Sequence, residues 1–128
     1  VHTRMDEPVM AIDVEAKCLP DHSDAEDHGY GFAYTITIRN TGKLPVQLLS
    51  RRWLITDATG KIREVRGDGV VGEQPRIRPG EYHRYSSLSI IETPVGTMEG
   101  SYGMIDDEGE SFSAPIPVFR LAVPGILN

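Results

Sequence analysis

"YGFAYTITIRN", residues 30–40, alternates Tyr30, Phe32, Tyr34, Ile36 and Ile38 with Ala33, Thr35, Thr37 and Arg39. Successive side chains of an extended chain point to opposite faces. This period of two therefore places five large apolar groups inward and leaves Thr35, Thr37 and Arg39 facing water, the signature of a half-buried β-strand. The stretch upstream, "VMAIDVEAKCL" (9–19), repeats the pattern, with Ile12, Val14, Ala16 and Cys18 opposed to Asp13, Glu15 and Lys17. Downstream, "VQLLSRRWLITD" (46–57) puts Leu49, Trp53 and Ile55 on one side and Val46, Leu48 and Leu54 on the other, so both faces of that strand are expected to be partly covered.

Further strands are expected at 61–66, 76–78, 82–88, 97–105 and 111–123. Turn chemistry separates them at Asn40-Thr41-Gly42, Ala58-Thr59-Gly60, Pro79-Gly80 and Asp107-Glu108-Gly109. No window carries a period of 3.6, and 13 Gly with 9 Pro leave little room for a long helix. About seven or more short antiparallel strands on a chain of 128 residues predict an all-β immunoglobulin-like or fibronectin type III-like sandwich, with a closed barrel as the alternative. Residues 1–8 read as a flexible arm before a single domain over 9–128, and "PDHSDAEDHG" (20–29) as an acidic connection between the first two strands.

A net charge of −6 argues against a nucleic-acid binder or an anionic membrane surface as partner. One cysteine, Cys18, excludes an internal disulfide, and no apolar run reaches the length of a membrane span, so a cytoplasmic protein is expected.

"REVRGDGVVGEQP" (63–75) holds Gly67, Gly69 and Gly72 in a G-x-G-x-x-G pattern. In a dinucleotide fold these glycines turn a strand into a helix whose first amides face a pyrophosphate. Here Val70, Val71, Gly72 and Pro75 follow at once, so no helix is expected. The expectation is a loop in which Gly67 and Gly69 take positive φ or admit a close neighbour while Val70 and Val71 anchor it in the core. A backbone nest for an anion, and with it nucleotide or pyrophosphate binding through this loop, is the further alternative.

Around this loop Arg51, Arg52, Lys61, Arg63, Arg66, Arg76, Arg78 and Arg84 give residues 51–84 a net charge of +3, against −9 for the rest. Arg63, Arg66, Gly67, Gly69, Gly72, Arg76 and Arg78 are therefore the candidate contact residues for an acidic partner protein or a small anionic ligand. His22, Asp24 and His28 are candidate ligands for a weakly bound divalent cation, with no zinc or EF-hand spacing. No other cofactor is expected. Ser86, Ser87 and Ser89 lie near His83 without any motif that places a nucleophile, and Cys18 reads as a small core residue, so no enzyme activity is expected.

The strings "FAYTITIRNTG" (32–42), "PVQLLSRRWLITDATG" (45–60), "EVRGDGVVGEQP" (64–75), "TPVGTMEGSYGMID" (93–106) and "PIPVFRLAVP" (115–124) together resemble the bacterial ApaG family. The resemblance implies an immunoglobulin-like or fibronectin-like sandwich. It also implies a small cytoplasmic protein whose bacterial relatives carry a cobalt and magnesium efflux label, and whose eukaryotic relatives look like protein-binding modules. In the family's pattern the glycine loop is Gly67, Gly69 and Gly72, flanked by Val70, Val71 and Pro75, beside an Arg51-Arg52-Trp53 string. Tyr85-Ser86-Ser87 stands where relatives show Tyr-Thr-Ser. Pumping an ion requires a membrane path, so any role in cation homeostasis is expected to be that of a soluble accessory factor.

Overall fold

The computed structural model describes residues 9–24 and 29–125, with only the backbone for 20–24. These residues form eight strands: β1 (Met10–Asp24), β2 (Gly29–Asn40), β3 (Val46–Asp57), β4 (Ile62–Asp68), β5 (Arg76–Ile77), β6 (Tyr82–Ile91), β7 (Val95–Asp106) and β8 (Ser111–Ala122). They divide into a sheet ordered β1-β2-β6 and a second ordered β4-β3-β7-β8, with β5 also on β3; every ladder is antiparallel. This is the expected immunoglobulin-like sandwich. The closed barrel is set aside, because among the described residues no ladder joins one sheet to the other.

The alternation of β2 builds the core as expected, with Phe32, Tyr34, Ile36 and Ile38 all buried. Trp53 of β3 sits across from them at the centre of an aromatic cluster, its ring 5.4 Å from Tyr34 and 5.9 Å from Phe119 in edge-on contacts. On the edge strand β1 the inward set is only half covered, and Ala16 is exposed.

Two sequence expectations change. The connection after β1 is shorter than 20–29: beyond an irregularity between Leu19 and Ser23 the ladder resumes at Ser23↔Tyr30 and Asp24↔Gly29. Backbone pairing at a sheet edge needs no apolar side chains, so polar residues do not end the strand. In β3, Val46 and Leu48 are buried together with Trp53 and Ile55, all toward one core. The register on β7 passes from Leu48↔Met104 to Ser50↔Gly103, so Leu49 is an extra residue that reverses the phase of the alternation. One buried face, not two covered faces, accounts for the mixed pattern.

The turns follow from their side chains. Asp57 Oδ1 accepts the amides of Thr59 and Lys61, Asp106 Oδ1 those of Glu108 and Glu110, and Gly60 and Gly109 take φ of 89° and 83°. The hydroxyl of Thr59, donating to Asp57 first of all, holds that carboxyl below its ordinary value. The buried Asn40 joins the sheets: its amide donates to Leu44 O at 2.8 Å and Ile77 O at 2.9 Å, and its Oδ1 accepts from Gly42 N at 2.8 Å.

Candidate functional site

β4 and β5 lie on the same edge of β3, β4 along Ser50–Thr56 and β5 along Val46–Gln47. Residues 69–75 leave that edge and return to it. The exit is pinned by Gly69 N–H donating to Leu49 O at 2.8 Å, and the return by Leu48 N–H donating to Pro75 O at 3.0 Å. The excursion therefore springs from the Leu49 bulge. Its tip is a two-residue hairpin in which Val70 and Glu73 exchange both backbone hydrogen bonds, at 2.8 and 3.0 Å.

Val71 and Gly72 at the tip have φ of 48° and 79°. Positive φ at both central residues is the geometry that favours Asn-Gly, and a β-branched residue there is strained. Val70 is buried as expected. Val71 is not an anchor: it is 62% exposed, because its left-handed conformation turns the side chain out.

The other two glycines act differently. Gly69, at φ 62°, also lies so close to Glu73 that a Cβ would come within 2.2 Å of its carbonyl oxygen. At Gly67 the missing side chain makes room for Arg51, whose Nη2 lies 2.6 Å from where a Cβ would stand. Arg51 Nη1 then donates to Asp68 O and Gly69 O, both at 3.0 Å, and locks the hairpin base. No helix starts at Val70, and the amides of Gly69, Val70 and Glu73 are engaged by backbone carbonyls.

The predicted arginines divide by face. Paired residues share a face, so Arg63, opposite Ile55, lies on the inner side of β4, while Arg66, opposite Arg52, lies on the outer. On that outer face Glu64 accepts from Arg52 at 2.6 Å and Arg66 at 2.7 Å, which together hold its carboxyl below the ordinary range, Arg52 foremost. Arg76, opposite Gln47, contacts Asp107 at 2.6 Å. Arg66 and Arg76 thus flank the excursion along one edge. Arg78 sits in the turn to β6, where its backbone N–H meets Glu81 Oε1 at 3.2 Å.

Arg51 itself was not among the predicted contacts. The alternation that turns Trp53 and Ile55 inward carries Arg51 with them, and that signal was available. Behind the hairpin, the edges β4 of one sheet and β6 of the other bound a cleft of about 360 Å³ lined in part by Arg51, Arg63, Tyr34, Trp53, Ser87 and Ser89. Arg63 Nη2 crosses it to Ile90 O at 3.3 Å. Ser87 stands opposite Tyr34 in the ladder, and burial pushes the pKa of the Tyr34 phenol up. Deeper in, the Tyr85 and Tyr102 hydroxyls bond each other and burial raises both. His83, Ser87 and Ser89 share the inner face as their spacing predicts, but His83 stacks on Tyr85.

Of the candidate metal ligands, His28 and the side chains of His22 and Asp24 lie outside the described residues, as does the arm 1–8. Among the described residues no three His, Cys, Asp or Glu gather as a metal site, and no helix is long and apolar enough to cross a membrane.

Known proteins resemble this arrangement along nearly its whole length. A profile of the ApaG domain matches residues 20–106. The chain is 54% identical over 126 residues to protein ApaG of Azotobacter vinelandii, covering 97% of this chain and 100% of that one. It is 54% identical over 121 residues to protein ApaG of Salmonella arizonae, covering 94% and 97%. A crystal structure described as the ApaA protein from Bordetella pertussis superposes with a TM-score of 0.87 at 44% identity, covering 91% of this chain and 95% of that one.

Proposed function

The chain belongs to the ApaG family, and on that premise we propose that it is a non-catalytic binding module that docks a partner protein through the 69–75 excursion and the arginines beside it. The observation that carries the reading is Val71: an exposed β-branched side chain held in the left-handed region at the tip of a closed hairpin. Such strain costs on the order of 1–3 kcal/mol and persists where surrounding structure over-determines it, often at binding surfaces. Here the surroundings are Arg51 below the hairpin and buried Val70 beside it.

Arg66 and Arg76 flank the tip, and their ion pairs with Glu64 and Asp107 are weak, solvent-screened surface pairs that a partner's carboxylates displace readily. The partner is therefore a protein with an apolar pocket rimmed by acids. Charge complementarity of this kind acts chiefly on encounter rate and specificity. Affinity capture from the source cell, compared between the parent chain and the double variant Arg66→Glu, Arg76→Glu, is the test. A specific captured protein is expected with the parent and is lost in the double variant and in Val71→Asp; capture that survives both changes removes the proposal.

A further inference from the structure

The cleft between β4 and β6 carries features that the hairpin does not need. Ser89 is 7% exposed, lines the cleft, and its Oγ has no hydrogen-bond partner among the described residues. A buried hydroxyl left without a partner is unfavourable, and natural structures rarely keep one without a reason. One residue further along β6, Ile90 O accepts from Arg63 Nη2 at 3.3 Å, a long bond that leaves the rest of the fork without a described acceptor. Arg63 and Ser89 therefore stand at the same end of the cleft. Arg51 stands at the other end, and in the ladder between them Trp53 faces Val65. No aspartate or glutamate lines the cleft.

We propose that this cleft binds a small organic anion, a carboxylate on a flat apolar body. The carboxylate takes a forked pair of N–H donors from Arg63, a turn of the Ser89 side chain brings its buried hydroxyl round to donate as well, and the apolar body lies against Trp53 and Val65. A carboxylate is planar and matches the guanidinium fork. The apolar walls favour a hydrocarbon or aromatic body over a fully polar phosphate. A cleft of about 360 Å³ is large enough for such a molecule. The site goes beyond the hairpin reading, since Val71, Arg66 and Arg76 do not line it.

Trp53 is the only tryptophan of the chain and lines the cleft, so its fluorescence reports occupancy directly. Titration of the full chain with 2-naphthoate is expected to quench it saturably. Ser89→Ala is expected to weaken binding about tenfold, the loss of one hydrogen bond to a charged group, and Arg63→Gln, which loses the forked pair, about a hundredfold. The neutral analogue 2-naphthalenemethanol should bind correspondingly more weakly. Ser89→Ala removes an unpartnered group, so its thermal midpoint should equal or exceed the parent's, which separates lost recognition from lost folding. Absence of saturable quenching, equal affinity for the neutral alcohol, or unchanged binding in both variants would overturn the proposal.

Discussion

Val71 concentrates the physics of this chain in one residue. In a two-residue turn with positive φ at both positions asparagine relieves the strain, because its short polar side chain tolerates the left-handed region. Val71→Asn is therefore expected to stabilise the fold by about 1 kcal/mol, read as a higher urea midpoint at unchanged m, with a thermal midpoint about 4 °C higher. The same variant removes the apolar tip and should weaken partner capture. A gain in stability accompanied by a loss of binding is what a strained contact residue predicts. A stability loss would mean that the valine side chain packs in solution, against its 62% exposure.

At the scale of elements, the strands were legible because period-two alternation survives wherever one face is buried, as in β2 and β7. What alternation cannot express is a change of phase. Val46 and Leu48 are in step with each other but out of step with Trp53 and Ile55, and only the Leu49 bulge reconciles them. The odd spacing of Arg63 and Arg66 in β4 divides them between two faces, but which of the two turns inward depends on register with β3. The glycine triplet was legible as a loop without a helix, yet its three glycines serve three purposes, two of which depend on Arg51 and Glu73. Asn40, which ends β2, shows how one element holds another: its side chain satisfies three backbone groups, including Ile77 O of the opposite sheet. Asn40→Ala leaves those groups unpaired inside the structure and is expected to cost about 3 kcal/mol, visible as a lower urea midpoint.

At the scale of the molecule, the cleft arises where two sheet edges meet, a juxtaposition that no local stretch of sequence encodes. Residues on β3, β4 and β6 reach the cleft, and the hairpin is locked from behind by Arg51, the charged neighbour of the core. The core also sets an alkaline limit. Burial raises Tyr85 and Tyr102 well above the usual phenol value near 10, so above that pH the unfolded chain loses protons that the folded chain keeps. With more protons bound in the native state, stability is intact below pH 10 and falls above it, by about 1.4 kcal/mol per pH unit for each phenol. Urea midpoints from pH 9 to 11 should show the decline, and the Tyr85→Phe, Tyr102→Phe double variant a shallower one.

The glycine element is a closed hairpin clamped by Arg51. Amide hydrogen exchange at Gly69, Val70 and Glu73 measures it most directly. Protection approaching that of the core strands in the parent, lost at these three amides alone in Arg51→Gln, is the predicted result; exchange at free-chain rates in the parent would contradict it.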